Sequence, residues 1–234
     1  MSISLLCALT MVAPRLATPR LTQPAWRHAL TRLYRKLRAI ERRPSDRWTA
    51  RGETDLNAVL QACNAVGALR MLRWVVIGRA HAPDRYTRVL QDALRPWRER
   101  ALSAAGGDID QRTAYVATHA IMAFSCWAMD RIPPNTAAFL APEAAVVARI
   151  GAQPSRYVRS IGEDATAEAL SCHRAMGHNA PTAGVLRSLK QEWDRYRRSA
   201  GKVDDVYNQH VALNIITAAY RPPTPMVHCS VQCT

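Results

Sequence analysis

Two sets of sulfur- and nitrogen-bearing side chains in this 234-residue chain have the types from which reactive or metal centres are built. His119 and Cys126 share one apolar helical pattern, and a thiolate beside an imidazole is a nucleophilic pair. That chemistry needs an accessible thiolate in an electropositive pocket and a third group to orient the base. No such third group can be named from the sequence. Cys172, His178, His228, Cys229 and Cys233 carry the ligands that tetrahedral zinc takes. They contain no Cys-x-x-Cys pair, and His228 and Cys229 are adjacent, so no metal centre is expected from them. The acidic pairs Asp108/Asp110 and Glu163/Asp164 fall at expected helix starts, where the helix dipole accounts for them. There is no phosphate-cradling glycine loop and no dinucleotide fingerprint. The expectation is a non-catalytic protein without a cofactor.

A second kind of chemistry is better represented. The formal net charge is +14, and lysine occurs only at positions 36, 190 and 202. A chain so rich in arginine suits acidic partners, because the planar guanidinium pairs bidentately with carboxylate or phosphate. Arginine and aromatic residues interleave around Trp193, Arg195, Tyr196, Arg197 and Arg198, a pattern able to stack on bases and hold phosphates. Amphipathic helices that bury the aromatic and solvate the arginine produce the same pattern. The segment "HALTRLYRKLRAIERR" (28–43) sets Arg35, Arg38 and Arg42 at i, i+3 and i+7, one cationic ridge on a helix.

The elements that must carry these residues are helices. Apolar residues make up 48% of the chain, enough for a packed core, and helical spacing recurs where strand alternation is missing. Trp26, Leu30, Leu33, Tyr34, Leu37 and Ile40 form one stripe, stopped by Pro44. The segment from Leu56 to Gly78 reads as the central buried helix, with Gly67 marking a close crossing. A helix opening at Pro83-Asp84 is expected to kink at Pro96. The next starts from a capping Asp near 108–110 and runs to a stop at Pro133-Pro134. Further helices follow Pro142 and Pro154, then "TAGVLRSLKQEWDRYRRSAG" and "VDDVYNQHVALNIITAAY". The predicted architecture is all-α, an irregular bundle of about seven or eight helices.

Residues 1–25 read as a basic, targeting-like or flexible segment, 26–221 as the helical domain, and 222–234 as a Pro- and Cys-containing tail. The first 40 residues are Arg-rich, contain Ser and Thr, and hold no acid before Glu41, which fits a mitochondrial targeting segment. No apolar run reaches the roughly 18 residues of a membrane span. The six cysteines are scattered, so a disulfide scaffold is not expected.

The stretch "ALTRLYRKLRAIERR" resembles the first helix of the LYR-motif family, small helical proteins of the mitochondrion. Leu33, Tyr34 and Arg35 match the motif, and Arg38 and Arg42 stand where that family is usually basic. The resemblance implies an acidic partner, the mitochondrial acyl carrier protein, and a role as accessory or assembly subunit of a respiratory-chain complex in the matrix. The alternative is a basic helical RNA-binding structural protein, a coat, nucleocapsid or ribosomal protein, using the 193–198 face.

Overall fold

In the computed structural model the described residues are 28, 31, 32 and 35, most of 59–70, 84–101, 108–125, 132, 134–179, 181–199 and 205–219. They are 88% helical and contain no strand, so the all-α expectation holds. The helices with continuous bounds are α1 (Asp84–Ala101), α2 (Gln111–Phe124), α3 (Pro134–Phe139), α4 (Ala141–Ala152), α5 (Pro154–Ile161), α6 (Glu163–Ala175), α7 (Ala183–Ser199) and α8 (Asp205–Ala219). None of the described helices is long and apolar enough to cross a membrane.

α1 is amphipathic. Leu90 and Leu94, four residues apart, are fully buried, whereas Gln91, Asp92 and Arg95 are exposed. Pro96 lies inside this helix rather than ending it. Its ring removes the hydrogen bond to the Asp92 carbonyl, and both residues sit on the solvent side. α2 starts where the capping signal placed it: the Asp110 carboxylate accepts from the Thr113 N–H at 2.7 Å. From Ala114 onward its alanines and Val116, Ile121, Met122 and Phe124 are buried on nearly every face. The helix ends at Phe124, well before the predicted stop, and the Arg70 guanidinium donates to the Phe124 carbonyl at 3.1 Å. Pro134 opens α3 instead of closing a helix. A proline lacks only an N–H that the first turn leaves unpaired anyway.

One apolar cluster runs from Val59 to Cys172 and takes in α1, α2, α4 and α6, across the proline-rich stretch at 133–142. A second, smaller one joins Val158, Leu170, Leu189 and Ala218 beneath α7 and α8. α1 is clamped to α4 by an ion pair between a half-buried guanidinium and a fully buried carboxylate. Arg98 donates from Nε and Nη2 to the two Glu143 oxygens at 2.8 and 2.7 Å, and to the Phe139 carbonyl at 2.8 Å. The Arg98 guanidinium also lies over the Phe139 ring.

The segment after Pro154 divides into α5 and α6, the second opening at the acidic pair Glu163/Asp164. Gly162, at φ +88°, turns the chain between α5 and α6 with a backbone that other residues adopt only under strain. This turn inserts α6 into the middle of the bundle, packed against α2, α4, α5, α7 and α8. Its residues 163–172 are all buried, polar ones included. α6 occupies the centre among the helices with continuous bounds; of the 56–78 segment, Val59, Ala62, Cys63, Val66 and Arg70 are buried and most of the rest lies outside the described residues. Small residues (Ala165, Thr166, Ala167, Ala169, Ser171) let the neighbours close on α6.

Candidate functional site

Four of the polar side chains of the central crossing belong to α6 and α8, and the rest come from α2 and from residue 64. On α6, Asp164 and Glu168 lie four residues apart and so share one face. Both are buried, Asp164 at 4% exposure and Glu168 at 0%. On α8, His210 and Asn214 are again four apart, as are Tyr115 and His119 on α2. Three helices thus each present one polar i, i+4 pair to a common point.

The carboxylates are held by neutral donors. The Tyr115 hydroxyl donates to Asp164 Oδ2 at 3.0 Å, and the Asn214 amide donates to Asp164 Oδ1 at 2.8 Å. The Thr118 hydroxyl donates to Glu168 Oε2 at 2.8 Å. Two imidazoles close the cluster. His119 Nε2 stands 3.5 Å from Glu168 Oε2, and its Nδ1 is 2.9 Å from Asn64 Oδ1. His210 Nε2 lies 3.4 Å from Glu168 Oε1 and 3.5 Å from Asp164 Oδ2. Burial alone would raise the Glu168 carboxyl, but the imidazoles of His119 and His210 outweigh it and hold this carboxyl below the usual range. The ligand atoms of Asp164, Glu168 and His210 all lie within 4.8 Å of one another, an arrangement able to hold a metal ion.

The sulfur–nitrogen sets singled out in the sequence do not assemble among the described residues. Cys172 is fully buried and donates to the Thr118 carbonyl at 3.4 Å, while His178 is exposed and stacked on His173 at 4.0 Å. Burial pushes the thiols of Cys172 and Cys63 far above their ordinary value, which makes them inert core groups. Cys126, His228, Cys229 and Cys233 lie outside the described residues. His119 is turned to Asn64 and Glu168. Asp164, expected to serve the α6 dipole, is in the first turn as predicted but spends its oxygens on the cluster.

Of the predicted partner-binding residues, Arg35 is helical and exposed, as is Arg32; Leu33, Tyr34, Arg38 and Arg42 lie outside the described residues. The 193–198 face is largely engaged with itself. Arg195 pairs with Glu192 at 2.7 Å and Lys190 with Asp194 at 2.6 Å. The Arg197 guanidinium covers the half-buried Trp193 ring at 5.2 Å, and the Arg198 Nε donates to the Asp194 carbonyl at 3.1 Å. Tyr196 lies in the same helix.

Comparison with family models, with curated proteins and with solved structures gives no match for this chain. The likeness of the N-terminal helix to the LYR-motif family therefore rests on its own motif residues.

Proposed function

We propose that the chain is a non-catalytic, helical accessory or assembly subunit that docks an acidic protein through the arginine ridge of its N-terminal helix. The observation that carries this reading is the exposed pair Arg32 and Arg35. They stand three residues apart in helical backbone, hence side by side, in a chain of net charge +14. Two guanidiniums so spaced match a carboxylate-bearing helix. The motif Leu33-Tyr34-Arg35 makes the mitochondrial acyl carrier protein the first partner to test, within a respiratory-chain complex. A competing RNA-binding role would draw on the 193–198 face. There the Trp193 ring is already covered by Arg197, and two neighbouring cations are compensated by acids of their own helix.

The test is affinity purification of the tagged full-length chain from its native source, with mass spectrometry of the bound proteins and sequencing of any bound RNA. The expected outcome is an acidic protein partner, carrying 4′-phosphopantetheine if it is a carrier protein, that is lost on Arg35→Glu. Capture of mixed RNA with a steep loss of affinity in salt, unaffected by Arg35→Glu, overturns the proposal in favour of nucleic-acid binding.

A further inference from the structure

The α2–α6–α8 crossing concentrates acidic side chains in a buried place. His119 Nδ1 meets the Asn64 carboxamide oxygen, which only accepts, so Nδ1 carries the proton. Its Nε2 faces Glu168 Oε2 at 3.5 Å. His210 faces the carboxylates from the other side. The Asn214 amide nitrogen donates to Asp164 Oδ1 at 2.8 Å and to Glu168 Oε1 at 3.4 Å, and lies 3.1 Å from His210 Nε2, so its two hydrogens serve both carboxylates and the imidazole. Two buried carboxylates and two imidazoles thus share one crossing. Burying both carboxylates without a counter-charge is strongly unfavourable. The offsetting charge is carried by protonated imidazoles or by one divalent cation.

The distances fit the cation. The separations of 3.4 and 3.5 Å from His210 Nε2 to Glu168 and Asp164 are long for hydrogen bonds. They match the edge of about 3.4 Å that tetrahedral ligands make around an ion bound at roughly 2.1 Å. The surroundings are those of ligating groups: Tyr115, Thr118 and Asn214 donate to the carboxylates, and Asn64 orients the imidazole of His119. We infer that Asp164, Glu168 and His210 bind a divalent first-row transition-metal ion, with His119 beside Glu168. One nitrogen and two carboxylate oxygens, without sulfur, suit Zn²⁺, Co²⁺, Mn²⁺ or Fe²⁺. Both carboxylates are buried while His210 is partly exposed, and the site joins two helices, α6 and α8, about forty residues apart in the chain.

The test uses the full-length chain stripped with a chelator and titrated at about pH 8, where unperturbed imidazoles are neutral. Stoichiometric Co²⁺ is expected to give visible ligand-field bands, about one ion per chain, and to raise the thermal midpoint; Zn²⁺ competes it out and Mg²⁺ does not. Asp164→Asn and His210→Gln each remove the bands. Asn214→Ala, which keeps every ligand, weakens binding by about 10- to 100-fold, the usual effect of losing an orienting partner. Cys172→Ser leaves the spectrum unchanged. Wild-type protein that binds Co²⁺ and Zn²⁺ no better than Mg²⁺, or that keeps the bands in both ligand variants, overturns the inference and leaves an imidazolium–carboxylate network.

Discussion

Glu143 and Glu168 are both fully buried carboxylates on neighbouring helices, yet their surroundings treat them differently. Glu143 receives a guanidinium whose two N–H groups match its two oxygens, and the remaining donor of that fork goes to the Phe139 carbonyl. The cation there is permanent, because arginine stays protonated at any ordinary pH. Glu168 faces two imidazoles at 3.4 to 3.5 Å, whose charge depends on a proton or is replaced by a metal. A carboxylate beside arginine is committed to holding helices together. One between histidines keeps its counter-charge exchangeable, and that exchangeability marks the candidate site.

The largest effect expected from breaking this contrast is at the arginine clamp. Arg98→Ala leaves Glu143 buried without its partner and should destabilise the fold by about 3–5 kcal/mol in chemical denaturation. The double change Arg98→Met with Glu143→Leu should recover most of that loss, since an apolar pair of similar volume avoids the desolvation penalty. A double variant as unstable as Arg98→Ala would show that the clamp matters for shape rather than charge.

The second expected effect sharpens the difference. Metal at about 100 times its dissociation constant should stabilise the wild type by about 2.7 kcal/mol. The same metal should raise the stability of Arg98→Ala by an equal increment, because the clamp and the cluster share no ligand. Next in size is the α2 cap: Asp110→Ala should cost about 1 kcal/mol, seen as a lowered denaturation midpoint with the slope unchanged.

The smallest expected effect concerns the separate, stacked pair His173 and His178. Burial, then the charge of the stacked His178, lowers the His173 pKa from its ordinary 6.5. The stability held by the neutral ring is therefore complete above about 6.5 and declines as pH falls through the lowered native value. His178→Ala should flatten this acid-side decline in a stability-versus-pH series. The His173 ring also packs on Gly151, where an added Cβ would come within 2.8 Å of it. Gly151→Ala should therefore displace the ring, readable as a shift of its NMR titration.

Much of the fold was legible because it follows from local physics. The Asp110 cap, Pro142 in a first turn and the leucines of α1 are consequences of periodicity and backbone chemistry, and the structure repeats them. The misreadings have equally local causes. Pro134 read as a stop although a first turn accepts it, and Gly162 was not itself read as a turn although the acidic pair after it was placed at a helix start. The polar cluster had a signal that was not used: Tyr115/His119, Asp164/Glu168 and His210/Asn214 are each polar pairs at i, i+4 in otherwise apolar or small-residue helices. What the signal lacks is any statement that the three pairs meet, because they are separated by about fifty residues each.

The sequence by itself determined the class of the protein, its helices, its excess of arginine and the N-terminal motif that suggests an acidic partner. Those are properties of spacing and composition, which act along the chain. Only the tertiary structure decided that α6 is central among the helices with continuous bounds, that Cys172 is an inert core thiol, and that the arginines of the 193–198 face engage their own helix. It also brought Asp164, Glu168, His119 and His210 together. Burial and charge balance belong to the packed state, where groups distant in sequence share one low-dielectric crossing and must settle their charges between them.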